Sequence, residues 1–345
     1  MPDIIIGLLI IAAGSLGQSS SYVPIRKVRQ WRWECFWLVQ GIFAWLIFPW
    51  LGAMLAVPAG NSFWTLYAGI SLKGPVVYGM LWGIGGLTFG LSMRYLGIAL
   101  GQSIALGMCS AFGTMIPALM DDSSAPGEKK WMLAACVGIM LAGIAVIGYA
   151  GSLRDKGLSE EEKRKAIQDF ALTKGLLVAL LAGGMSACFN LGLEAGKPIA
   201  EAARAAGANE LFALNPVILL VTMGGFLTNA AYCLFLNLKN RSGSDYFATT
   251  GGVLLNNVLF CALAGLLWYS QFFGLGMGKT FFAGSPVMLA FSWSILMSLN
   301  ILFSNGWGIL LKEWKGADRK TIGVLAIGMA ILIFSLLFPN LNPMI

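Results

Sequence analysis

Amide, hydroxyl and indole side chains recur at helical spacing inside stretches that are otherwise apolar, and these residues are the ones suited to hold a ligand. Ser15, Gln18, Ser19 and Tyr22 fall at i, i+3, i+4 and i+7, on one helical face. Ser186, Asn190 and Glu194 follow at intervals of four, and Asn257, Trp268 and Gln271 lie near a shared face because eleven residues make almost three turns. Trp293, Asn300, Ser304 and Trp307 form a fourth stripe. A polar side chain in an apolar span is costly, so such stripes mark either hydrogen bonds between helices or the lining of a cavity. Four stripes together favour a polar pathway. Amides and hydroxyls beside indole rings suit a sugar, with hydrogen bonds for its hydroxyls and a flat apolar surface for its C–H face. The expected substrate contacts are Gln18, Tyr22, Asn190, Asn257, Trp268, Gln271 and Asn300.

Acid–base chemistry has few carriers here. The 345-residue chain contains no histidine, which removes the commonest general base and metal ligand. No Asp or Glu occupies the middle of an apolar stretch. Glu194 continues a polar stripe and is the first choice for a proton-carrying carboxyl. Glu34, the second choice, opens the second stretch beside Arg32, a spacing that reads as an interfacial ion pair. The six cysteines, Cys35, Cys109, Cys136, Cys188, Cys233 and Cys261, lie in or at the edge of apolar stretches and never form C-x-x-C, so they read as small buried hydrophobes. No metal or cofactor is expected. With no H-E-x-x-H, no paired intramembrane aspartates and no G-x-S-x-G, an enzyme is not expected either.

These residues must be positioned by elements that cross a bilayer. The chain is 57% hydrophobic and 11% charged, where a soluble domain carries about 25% charged residues. In hydrocarbon an unpaired backbone amide costs several kcal/mol, so only helices or closed barrels cross, and uninterrupted runs of roughly 20 apolar residues mean helices. Runs bounded by charge, Pro or Gly predict ten spans, over 4–22, 35–57, 75–93, 97–119, 131–149, 175–193, 212–236, 251–273, 284–311 and 322–338. The expected class is an all-α integral membrane protein. Of the 23 Lys and Arg, 17 fall in the loops after the odd-numbered spans. Basic loops stay in the cytoplasm, so both termini are expected on the periplasmic side of an inner (plasma) membrane. Only Pro2 and Asp3 follow Met1 ahead of the first span, so it reads as a helix that is kept and not a cleaved signal. The net charge of +7 then reflects topology. The bilayer is the expected partner, and nucleic acid is not.

The two halves echo each other weakly. Ala13-Gly14-Ser15 followed by Tyr22-Val23-Pro24 and Lys27 resembles Ala182-Gly183-Gly184 followed by Lys197-Pro198, and Lys129-Lys130 ahead of Gly138 resembles Arg319-Lys320 ahead of Gly328. Residues 1–150 and 175–345 are read as two five-helix repeats, inverted because five is odd. Residues 151–174 are the cytoplasmic linker, in which Ser159 with Glu162 reads as a capping box and Glu160 with Arg164 and Glu161 with Lys165 as supporting pairs. Pro198 to Gly207 reads as a short helix on the outer face, with Pro in its first turn and Gly past its last. The 44 glycines let helices approach closely, and most of the 12 tryptophans sit near span ends as an interfacial belt.

The run Tyr22-Val23-Pro24-Ile25-Arg26-Lys27-Val28-Arg29-Gln30-Trp31-Arg32-Trp33-Glu34 resembles the segment after the first helix of the L-rhamnose–proton symporter family, within the drug/metabolite transporter superfamily. Leu81-Trp82-Gly83-Ile84-Gly85 with Gly90-Leu91-Ser92-Met93-Arg94-Tyr95-Leu96-Gly97 is similar to its third-to-fourth helix segment. Gly265 to Phe273 resembles its eighth helix, and Leu311-Lys312-Glu313-Trp314 the end of its ninth. Lys27 and Arg94 lie within these matching segments. The resemblance implies a ten-helix carrier that imports L-rhamnose, or a related monosaccharide, by proton symport. A metabolite or drug exporter of the same superfamily and a sodium-coupled sugar carrier are the alternatives.

The split of basic residues yields a direct test of topology. A reporter that is active only in the cytoplasm, fused after Ile345, should stay silent in intact cells; a strong signal would invert the assignment.

Overall fold

The computed structural model describes residues 2–58, 60–96, 98–120, 127–156, 172–248, 250–312 and 314–340. Among them ten helices are long and apolar enough to cross a membrane, and there is no strand. They are α1 Pro2–Ile25, α2 Trp33–Met54, α3 Lys73–Met93, α4 Gly101–Met120, α5 Lys130–Arg154, α6 Thr173–Ala205, α7 Asn215–Asn240, α8 Gly251–Thr280, α9 Pro286–Leu310 and α10 Arg319–Leu337. The protein is an all-α, multi-pass membrane protein. The expected linker helix, with Ser159 and Glu162, lies outside the described residues.

Helix starts follow local chemistry. Asp318 accepts from the Thr321 N–H at 2.8 Å and opens α10, and Ser285 accepts from Met288 N–H ahead of Pro286 to open α9. α6 breaks at Gly196, and the piece Lys197–Ala205 resumes with Pro198 in its first turn. Gly207 follows at φ +94°, a conformation that glycine reaches without strain. α8 runs to Thr280, seven residues past the expected end, because the glycines that suggested a loop there lie against another helix: Gly274 is close to Ile10 and Gly14, and Gly278 to Gly7 and Ile11.

α2 is irregular. Residues Phe43–Ile47 form a π-turn between regular pieces Trp33–Ile42 and Phe48–Met54, with the Phe48 N–H donating to Phe43 O. Pro49 follows directly. Lacking an N–H, it cannot bond back to Trp45 O, so the widened turn sits where the regular ladder is already interrupted.

The chain divides into two compact units. The first comprises Met1–Gly83 and Gly192–Phe281; in it α1 lies along α8, and α2 packs against α7 and α8. The second comprises Ile84–Leu191 and Phe282–Ile345; in it α5 packs against α10 and α4, and α4 against α9. Each unit thus draws helices from both halves of the sequence.

The α1–α8 contact is backbone on backbone. A Cβ added at Gly14 would stand 2.5 Å from Ser270 O, well inside contact distance. Gly14→Ala should therefore destabilise the detergent-solubilised protein by about 1–3 kcal/mol through overpacking. Gly138→Ala, where an added Cβ meets nothing within 4 Å, should be neutral or gain up to about 1 kcal/mol of helix propensity. Thermal unfolding of the two variants checks the contrast.

Candidate functional site

The first unit gathers tryptophans around the π-turn. Trp45, at the centre of that turn, meets Trp82 at 6.0 Å and Trp268 at 5.7 Å between ring centroids, both edge-on. Trp82 and Trp268 lie 5.8 Å apart, and Phe272 closes on Trp268 at 5.2 Å. Trp37, about two turns toward the start of α2, meets Trp45 at 5.7 Å and donates its Nε1–H to Asn229 Oδ1 at 3.1 Å. Only a glycine at 225 lets Trp82 lie on α7, since a Cβ there would fall inside its ring.

Not every buried polar atom of α2 is satisfied. Gln40 Oε1 and Trp45 Nε1 are buried without a hydrogen-bond partner in the protein. Farther along α2, Asn215 donates to Gly52 O at 3.0 Å, while its Oδ1 and the Tyr269 hydroxyl are likewise buried and unpartnered. Each such atom costs about 1–3 kcal/mol.

One end of the first unit is closed by a polar network. Asn257, fully buried, accepts from Arg29 N–H at 2.9 Å and donates to Arg29 O at 2.7 Å, gripping that peptide as a neighbouring strand would. Asn256 donates to Lys27 O at 3.0 Å, so the exposed Lys27 is held through its backbone. Arg32 forks onto Asp245, with Nε to Oδ2 at 2.8 Å and Nη2 to Oδ1 at 3.0 Å. The expected Arg32–Glu34 pair is thus replaced, because Asp245 presents both carboxylate oxygens to the guanidinium plane. Glu34, 4% exposed, instead accepts from Asn240 Nδ2 at 3.0 Å and Ser242 Oγ at 2.7 Å. The Arg32 guanidinium holds the Asp245 carboxyl below the usual aspartate range, and burial pushes the neighbouring Tyr246 hydroxyl up.

Glu194 lies in the same unit, where α6 breaks. Its carboxylate meets Lys197 Nζ at 2.6 Å and Lys279 Nζ at 3.9 Å. Trp268 and Gln271 share α8, and Gln271 Nε2 donates to Trp268 O at 3.2 Å. Gln18 is half-buried on α1, with Ser19 Oγ donating to its Oε1 at 3.4 Å, and Tyr22 is exposed just beyond.

The second unit holds Asn190, Asn300 and Arg94. Asn190 donates to Gly113 O at 2.7 Å, Trp293 donates to Cys109 O at 3.2 Å, and Phe189 stacks on Trp293 at 5.7 Å. Ser110, Thr114 and Ser294 form a buried hydroxyl chain beside them. Asn300 is buried on α9. Arg94 lies on the helix that continues α3, and its side chain is outside the described residues. All six cysteines are free and buried, and no group of three His, Cys, Asp or Glu among the described residues could hold a metal.

The structure therefore groups Trp268 with Trp45 and Trp82, commits Asn257 to the Arg29 peptide, and places Asn190 and Asn300 in the other unit. Gln40, Trp45 and Asp245 were not singled out from sequence. The one signal for the first two was Pro49 in mid-span.

A family model described as L-rhamnose-proton symport protein (RhaT) matches residues 1–341. The L-rhamnose-proton symporters of Yersinia pestis (strain Pestoides F) and Yersinia pseudotuberculosis serotype O:1b (strain IP 31758) are each 35% identical over 343 residues, covering 96% of this chain and 96% of the relative.

The Arg32–Asp245 fork makes stability depend on pH. Because the folded carboxyl titrates below its unfolded value, its contribution is present above about pH 4 and lost as pH falls through the folded value. Asp245→Asn should unfold at a lower temperature than the parent at pH 6–7, and the gap should shrink below about pH 4. A gap that stays constant down to pH 3 would show that Asp245 acts through something other than its charge.

Proposed function

This chain belongs to the L-rhamnose-proton symport protein family, and on that premise we propose that it carries L-rhamnose, or a closely related monosaccharide, across a membrane together with a proton. The observation that carries this reading is coverage: all ten spans fall within residues 1–341, which match the family. The same coverage favours symport over export or sodium coupling, which a count of helices leaves open. The sugar crosses chemically unchanged, so the protein is a carrier and not an enzyme.

The proposed location is the inner membrane with both termini outside the cytoplasm, which puts the Arg32–Glu34 end on the cytoplasmic side; the distribution of Lys and Arg supports it. Two inverted five-helix repeats are also proposed. Exchanging each helix for the one five later turns the α1–α8 contact into an α6–α3 contact, and α3 and α6 do touch, Gly85 against Ser186 in the second unit and Gly192 against Tyr78 in the first. α2 with α7, α4 with α9 and α5 with α10 map onto themselves.

The coupling proton is assigned to Glu34. A proton on Glu194 would weaken the ion pairs it makes with Lys197 and Lys279. Glu34 has an amide and a hydroxyl as partners, both donating to an ionised carboxylate. Protonation weakens that acceptor and adds a donor where donors already converge, which loosens the junction of α2 with the α7–α8 loop. Release of the proton restores it. Among the residues expected from sequence, Trp268 is the proposed sugar platform of the first unit, with Gln18, Tyr22 and Gln271 as its proposed polar contacts.

Counterflow of labelled L-rhamnose into proteoliposomes, followed by accumulation under an imposed pH gradient, tests both parts. The parent should do both, while Glu34→Gln should exchange sugar but fail to concentrate it, and Glu194→Gln should concentrate it. A parent that does not exchange L-rhamnose overturns the function; Glu34→Gln that accumulates sugar as the parent does moves coupling elsewhere.

A further inference from the structure

In hydrocarbon a buried polar atom is expected to find a partner inside the protein. α2 departs from this just before its irregular turn and within it. Gln40 Oε1, three residues before the π-turn, and Trp45 Nε1, at its centre, belong to side chains 4% and 5% exposed, and neither has a partner. The aromatic rings packed on Trp45 come from Trp37, Trp82 and Trp268, and a ring carbon accepts no ordinary hydrogen bond. A π-turn adds one residue to the ladder, which rotates everything beyond it by about 100°, and such turns recur where a helix must aim a functional side chain.

We propose that Gln40 and Trp45 are further polar contacts of the sugar subsite, beyond those expected from sequence, and that Trp82 joins Trp268 in its apolar wall. The proposal rests on the reading of this chain as an L-rhamnose carrier. An indole N–H only donates and an amide oxygen only accepts, so the pair engages hydroxyls, which do both. Gln40, Trp45, Trp82, Trp268 and Phe272 carry no charge, so the group offers no counter-ion to a carboxylate or an amine. It suits a neutral molecule with hydroxyls on one side and C–H or methyl groups on the other, which is the make-up of a deoxyhexose. Ring edges and faces cover that second side. The stranded atoms of α2 then gain their partners from the ligand, and the irregular turn is explained by the aim it gives Trp45.

The test compares purified parent, Gln40→Met and Trp45→Phe, which remove the polar atom and keep most of the side-chain shape. L-Rhamnose binding is measured by calorimetry and thermal unfolding is measured without sugar. Each variant should weaken binding tenfold or more while its unfolding temperature holds or rises, because an unpartnered polar atom has been replaced by an apolar group. A merely structural role predicts the opposite, a lower unfolding temperature with affinity unchanged. Variants that bind L-rhamnose as tightly as a binding-competent parent overturn the subsite alone. A parent that neither binds nor exchanges L-rhamnose overturns the functional reading, and the subsite falls with it.

Discussion

Hydrocarbon supplies no hydrogen bonds, and that single constraint orders this protein. Backbone groups are satisfied by making every span a helix. Several buried hydroxyls are satisfied by the helix that carries them: Thr222 donates to Ile218 O, Ser292 to Leu289 O and Ser335 to Leu332 O, all at 2.7–2.8 Å. Longer polar side chains reach a neighbouring helix, as Asn190 does to Gly113 O and Trp293 to Cys109 O. The polar groups that find such partners are explained without a ligand. A stripe of polar residues at helical spacing says that a face is not lipid-exposed, and the partner found in the fold decides whether that face is glue or lining.

Unpartnered polar atoms also occur on α1, α7, α8 and α9, but α2 combines them with an irregular turn. Its regular ladder is interrupted by Pro49, its π-turn centres on Trp45, and two of its buried polar atoms lack partners. The tryptophans that meet there come from α2, α3 and α8, so the cluster exists only because the first unit draws on both halves of the chain. An aromatic wall with few polar atoms discriminates by shape and by hydroxyl placement and not by charge, which accords with a neutral substrate.

Charge is kept to the ends of the spans, and part of it is paired there. Asp245 takes Arg32, Glu194 takes two lysines, and Glu34 is left with uncharged donors. The loop between α1 and α2 is bonded to α8 for the same reason: Asn256 and Asn257 supply the partners that its peptides at Lys27 and Arg29 would otherwise seek in water. Positioning Glu34 thus depends on side chains from α7 and on the loop that follows it.

The ten spans, the class and the family were legible in the sequence because they rest on local quantities, the length of apolar runs and the identity of a few segments. The short helix after Gly196 was legible too, since Pro and Gly act within one turn. The end of α8 was misread because Gly274 and Gly278 look like loop residues until α1 lies against them. Arg32 was assigned to Glu34 by proximity along the chain, whereas Asp245, more than 200 residues away, offers the better geometry. Asn257 looked like a ligand contact and grips a peptide, while Trp45 carried no polar stripe to mark it. Helical periodicity tells which residues share a face; what stands opposite that face is decided by long-range packing, and only the folded chain contains that information.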